Sequence, residues 1–169
     1  YKIFSSVFAC TALFNKLTFS IRKIKVKEEF MDIQNKTVLI LGAWGLVGNA
    51  VTRKILTENP KNIIVTSLKK EEAESYALKL SKEFPDLPEG YFIPWWGNIF
   101  VREEFKDMDR FDILNDPEKR KILMRDVMEE MTPDVLQASA LYKLIEKYQP
   151  DIVIDSINSA TGIAYQDIY

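Results

Sequence analysis

The chain has 169 residues, 47% of them hydrophobic and 28% charged, with a formal net charge of −2. That balance excludes a disordered or collagen-like polymer and suits one ordinary globular domain able to bury a core. The lone Cys10 excludes an intramolecular disulfide, the absence of histidine removes the commonest metal ligand and general base so that no metal site is expected, and no basic excess offers a footprint for nucleic acid.

Charge divides the chain. Residues 1–30 carry six Lys or Arg and two Glu, net +4, and begin with Tyr1 in place of Met; residues 31–169 are acidic. Three readings of this leader stand side by side: a transit-peptide-like targeting segment, an added amphipathic element, or sequence upstream of a start at Met31. Its apolar runs are too short for a membrane span. A cytoplasmic location is therefore expected, with an organelle as the alternative if residues 1–30 are a transit peptide.

From Lys36 the pattern becomes regular. "KTVLIL" is the unbroken apolar run of a strand covered on both faces. A glycine window follows, then a helix "NAVTRKILTEN" with Val47, Val51, Ile55 and Leu56 inward, stopped at "NPKN". "NIIVTSL" is a second strand, and "KKEEAESYALKLSKEF" a charged helix with Ala73, Tyr76, Ala77 and Leu80 as its apolar stripe. "YFIPWWGNIF" is a third strand that Pro94 marks as an edge or irregular ending. Residues 101–131 predict two helical pieces divided near "NDP", lying over the surface as a charged insertion. Thr132 and Pro133 then open one helix, "DVLQASALYKLIEKY", with Val135, Leu136, Leu141, Leu144, Ile145 and Tyr148 inward, and "QPDIVIDSIN" begins a fourth strand. Strands alternating with helices predict an α/β fold, a Rossmann-type doubly wound parallel sheet.

The window "LGAWGLVG" holds Gly42, Gly45 and Gly48 between a buried strand and an amphipathic helix. A helix starting there aims unpaired N–H groups and its positive dipole end past the strand, a ready site for a pyrophosphate. Gly42 would allow the tight turn, Gly45 the approach of the phosphate, and Gly48 close helix packing, with Trp44, Leu46 and Val47 lining the same loop. A P-loop is excluded, because Asn49 and Ala50 stand where Lys and Ser or Thr would be needed.

This glycine spacing resembles the nucleotide-binding start of the extended short-chain dehydrogenases/reductases, the NAD-dependent epimerase/dehydratase group. "WWGNIF" is similar to that family's end of strand three, with Asn98 in the place of an acidic residue that meets the adenine and Ile99 beside it. "YKLIEKYQPDIVIDSINSATG" is similar to its helix, fourth strand and small-residue loop, which implies that Asn158, Ser159 and Ala160 pass the nicotinamide ribose. The resemblance covers roughly Thr37 to Gly162. It implies an oxidoreductase or nucleotide-sugar epimerase/dehydratase that uses NAD or NADP.

Two departures qualify the resemblance. Thr66 and Ser67, followed by Lys69 and Lys70, occupy the position where an acid would read a ribose 2′-hydroxyl, so the sequence leans to NADP. The family's Tyr and Lys four residues later are absent: no tyrosine here is followed by lysine at that distance, so no catalytic residue is assigned. The expectation is the amino-terminal, cofactor-binding part of a longer enzyme, its sheet stopping after the fourth strand and leaving an edge that invites aggregation or a homo-oligomer. A small-molecule substrate is expected but not readable, and a non-catalytic dinucleotide sensor or an interaction domain is the alternative. Phe92, Trp95 and Trp96 read as core before a stacking platform, and Asp151 with Asp155 as turn and strand-end polar groups before a carboxylate pair.

Overall fold

Each apolar run between Lys36 and Asp155 becomes a parallel strand. The structure, a computed structural model, describes residues 32–157; the leader, Cys10, Asn158, Ser159 and Ala160 lie outside the described residues. Contacts divide the chain between Asp32 and Ile33, and the unit beginning at Ile33 is the one described below.

The strands are β1 (Thr37–Leu41), β2 (Asn62–Ser67), β3 (Phe92–Trp96) and β4 (Ile152–Asp155). They form one parallel sheet in the order β3-β2-β1-β4. Helices α1 (Leu46–Leu56) and α2 (Lys70–Glu83) follow β1 and β2, and α6 (Ala140–Tyr148) precedes β4. This is a Rossmann-like doubly wound arrangement. Side chains alternate across the strands. Val38, Ile40, Ile63 and Val65 are buried in one cluster with Tyr76, Ala77 and Leu80 of α2. Leu39, Leu41 and Ile64 are buried in a second cluster with Ala140 and Leu144 of α6. Strands covered on both faces have no use for polar residues, which is why "TVLIL" reads as a continuous apolar run. Pro94 sits in β3, an edge strand, where a missing N–H costs no ladder bond. Among the described residues no helix is long and apolar enough to cross a membrane.

Residues 101–131 hold a short 3-10 turn (Glu103–Phe105), then α3 (Arg110–Asn115) and α4 (Pro117–Met128), divided at "NDP" as the sequence predicts. Asp109 and Asp116 cap the two helices by accepting backbone N–H groups. The segment also has a core of its own. Val101, Phe105, Ile113 and Leu123 are buried together, and Arg102 pairs with Asp126 beside them.

Three local expectations need correction. The single helix expected over residues 134–148 is two, α5 (Pro133–Ala138) and α6, because Ser139 is extended (φ −68°, ψ 143°). Its backbone is drawn into a bridge with Arg102, Ala140 N–H donates to the Val101 carbonyl at 2.9 Å, and the Ser139 hydroxyl caps α6 by accepting from Tyr142 N–H. Leu136, expected inward, is exposed. Helix α1 starts at Leu46, three residues earlier than expected, so Gly48 and Thr52 face inward and Val47 faces solvent.

Candidate functional site

The chain turns sharply at the carboxyl end of β1. Gly42 has φ +73°, a left-handed conformation that a residue with a Cβ adopts only with strain. Gly45 N–H donates to the Gly42 carbonyl at 3.1 Å and Asn49 N–H to the Gly45 carbonyl at 2.8 Å, which closes the turn and starts α1. Gly45 occupies the N-cap and offers no side-chain acceptor, so the first N–H groups of α1 have no intrahelical partner. Gly48 answers a packing demand: a Cβ there would lie 2.1 Å from the Gly42 carbonyl oxygen. A Cβ on Gly45 would meet the same oxygen at 3.3 Å, a far milder contact.

Neighbouring strands brace this turn. Thr66, at the end of β2, is buried; its hydroxyl accepts from Gly42 N–H at 3.0 Å and donates to the Ile40 carbonyl at 3.1 Å. Beyond β4, Ser156 donates through both its N–H, at 3.1 Å, and its hydroxyl, at 2.5 Å, to the Leu41 carbonyl. A Cβ on Gly42 would sit 2.9 Å from Ile157 Cγ1, so the loops after β1 and β4 are in contact. That junction is where the strand order reverses, the place at which open α/β sheets bind ligands.

A cleft of about 430 Å3 opens here, walled by Gly42 and Gly45, by Thr66, Ser67 and Leu68 after β2, by Gly97 to Phe100 after β3, by Ser156 and Ile157, and by Arg110 of the insertion. Of the residues the sequence singles out, Gly42, Gly45, Thr66, Ser67, Asn98 and Ile99 come together on its walls. Gly48 lies behind the turn, and Trp44, Leu46 and Val47 are exposed outside the walls. Lys69 is exposed at the N-cap of α2, while Lys70 is engaged with Glu74 at 3.8 Å and lies 5.0 Å over the Trp96 ring. Neither ammonium is a wall of the cleft. A larger hollow of about 530 Å3 at Met108, Asp112, Asn115, Asp116 and Lys119 is a groove in the charged insertion, with Asp116 and Lys119 paired at 3.0 Å.

Asn98 shapes its own turn: its side-chain oxygen accepts from Phe100 N–H at 2.9 Å and its N–H donates to the Lys106 carbonyl at 2.8 Å. Gly97, with φ +122°, packs on the Lys106 stem, whose ammonium lies 5.6 Å over Trp95 and 5.5 Å over Trp96. Trp95 is buried in the α6-side core, in keeping with an aromatic cluster that packs. Asp151 accepts from Thr37 N–H at the amino ends of β1 and β4, and Asp155 lies at the carboxyl end of β4, so the two carboxylates share no site.

Two residues that sequence reasoning passed over bear on the cleft: Arg110 walls it, and Glu72 bonds to Ser67, which does. Glu72, in the first turn of α2, accepts the Ser67 hydroxyl at 2.5 Å and so puts a carboxylate beside the end of β2. Extending the search for an acid from the strand end into the next helical turn would have found it. Arg110 had no sequence signal, because residues 101–131 read as solvated charge. Burial pushes the Tyr76 and Tyr91 phenols above their ordinary range; they donate to Asn49 Oδ1 and the Pro60 carbonyl respectively, and neither is poised as a base near neutral pH. No group of three or more His, Cys, Asp or Glu is placed to hold a metal among the described residues.

No family model matches the chain, and no curated protein matches it. Among solved structures it is similar to one described as "X-ray structure of Pen from Bacillus thuringiensis", 30% identical over 41% of this chain and 20% of that one, with a TM-score of 0.33. The chain thus matches about a fifth of that protein's length.

Proposed function

We propose that this domain binds a nicotinamide dinucleotide, NAD or NADP, as the cofactor-binding portion of an oxidoreductase or nucleotide-sugar epimerase/dehydratase of the short-chain dehydrogenase/reductase type. One observation carries the reading: the glycine turn and the uncapped start of α1 form one wall of a cleft at the strand-order reversal. There the α1 N–H groups and dipole favour an anion, and the absence of side chains on Gly42 and Gly45 leaves the backbone open to a pyrophosphate. Bound there, the nicotinamide would supply hydride transfer; the residues of this chain bind and orient it. The ends of β2 and β3 would receive the adenosine, through Ser67, Leu68 and Ile99.

Cofactor preference turns on Glu72. Its carboxylate, held by the Ser67 hydroxyl, is suited to accept a ribose 2′-hydroxyl and repels a 2′-phosphate, while Lys70 is engaged with Glu74 and the Trp96 ring. This moves the reading from the NADP lean of the sequence toward NAD.

Calorimetric titration of the chain with NAD and NADP tests the proposal, with Gly45→Asp as the control that sets a carboxylate in the phosphate path. Saturable binding that Gly45→Asp abolishes, with the circular dichroism spectrum unchanged, is expected. A folded chain that binds neither cofactor sinks the reading. A second reading is a non-catalytic dinucleotide sensor, which would keep the glycine turn and lack a Tyr-x-x-x-Lys pair over its full length. A transcript encoding that pair in frame beyond Tyr169 decides for the enzyme.

A further inference from the structure

We propose that the charged insertion belongs to the binding site: Arg110, which walls the same cleft as the glycine turn, supplies the cation that holds the dinucleotide diphosphate. The inference rests on the dinucleotide reading above and adds to it a residue that the glycine motif does not contain.

The charge inventory of the cleft is the first observation. Among the described residues that wall it, Arg110 is the one charged side chain. The first turn of α1 carries no acidic residue, and its basic residues, Arg53 and Lys54, lie in the last turn. A dinucleotide diphosphate bears two negative charges, whereas a helix N-terminus offers about half an elementary charge. The glycine turn therefore leaves most of the ligand charge unanswered, and a guanidinium, whose planar fork matches phosphate oxygens, is the group suited to answer it.

The second observation is how firmly Arg110 is placed. The insertion is fastened near its amino-terminal root by two sets of contacts. On one side Asn98 N–H donates to the Lys106 carbonyl, and the Lys106 stem packs on Gly97. On the other, Arg102 bridges Ser139 and the Val101 carbonyl accepts from Ala140 N–H. Asp109 caps α3 through Phe111 N–H at 2.8 Å, and Ile113, three residues beyond Arg110, is buried in the core of the insertion. A segment anchored in this way can present Arg110 to a ligand without a large ordering cost. The end of β2 already presents a carboxylate at Ser67, so the diphosphate is the better partner for Arg110 than a 2′-phosphate.

Arg110→Gln and Arg110→Lys in the full 169-residue chain, titrated with NAD, NADP, ADP and adenosine, test this. Arg110→Gln should weaken NAD, NADP and ADP alike by about 10- to 100-fold and leave adenosine unchanged. Arg110→Lys, which keeps the charge and loses the fork, should fall between Arg110→Gln and the unmodified chain. A loss confined to NADP would overturn the assignment in favour of the 2′-phosphate. An equal loss for adenosine would overturn it in favour of contact with the base, and unchanged affinities would overturn it outright. If the unmodified chain binds no dinucleotide, the function proposed above fails; if it binds and both variants bind equally well, only the role of Arg110 does.

Discussion

Thr66 and Gly42 are joined at the head of the cleft by a buried hydroxyl that accepts the Gly42 N–H at 3.0 Å and returns a bond to the Ile40 carbonyl at 3.1 Å. The β2 side chain thereby fixes the glycine turn. Thr66→Val preserves shape and removes both bonds, leaving a buried donor and acceptor unpaired. The expected loss of stability is on the order of 1–3 kcal/mol, read from urea unfolding. Thr66→Ser should recover most of it, and a valine variant as stable as the parent would show that the bonds are incidental.

Glycines 45 and 48 should separate by packing. Glycine to alanine in a helix ordinarily stabilises by about 0.8–1.0 kcal/mol. At Gly48 the new methyl would lie 2.1 Å from the Gly42 carbonyl oxygen, so the sign should reverse, with a loss of about 1–3 kcal/mol or more. Gly45→Ala, with 3.3 Å to the same atom, should cost clearly less stability. Thermal melts of the two variants check the order.

Glu72 should set the choice of cofactor. Glu72→Gln keeps an acceptor for the Ser67 hydroxyl and removes the charge that opposes a 2′-phosphate. The ratio of NADP to NAD affinity should rise by about tenfold, with the melt unchanged. A ratio that does not move would place the ribose away from the end of β2.

The link between α1 and α2 should be acid-sensitive. Arg53 holds Glu83 with two hydrogen bonds, at 2.6 and 2.8 Å, and those bonds draw the Glu83 carboxyl below its ordinary value of 4.5. A carboxyl whose pKa is depressed on folding contributes stability above its unfolded value and loses it as pH falls through the folded one. The advantage of the parent chain over Glu83→Gln should thus be present at neutral pH and shrink below about 4.5. The pair is solvent-exposed, so the effect should be small and reduced by added salt. Melting temperatures of both proteins across acidic pH, at low and high salt, give the measurement; a gap constant with pH would contradict the pairing.

The sequence by itself determined the sheet and the glycine turn, because both follow from local rules. The interiors of "TVLIL" and "NIIVTS" are wholly apolar, their polar residues, Thr37, Asn62, Thr66 and Ser67, standing only at the strand ends. A turn between a buried strand and a helix needs the positive φ that Gly42 provides. Division of the insertion at "NDP" was equally legible, since Asp116 and Pro117 cap and open α4 wherever the segment packs.

Only the tertiary structure decided what meets what at the cleft. Thr66 reads in sequence as a hydroxyl free for a ligand, yet the crossing of β2 with the β1 turn commits it to Gly42 and Ile40. Lys69 and Lys70 read alike in sequence, yet in the fold Lys70 is engaged with Glu74 and the Trp96 ring, and α2 brings Glu72 to Ser67. The Ser139 break depends on a partner 37 positions earlier, at Arg102, which no helical periodicity can register. Arg110 reaches the cleft in the same way: residues 101–131 bury a core of their own and are tied, over residues 101–106, to the end of β3 and the start of α6. Periodicity reports which face of an element is apolar; contacts between residues far apart in the chain decide which polar groups share one cleft.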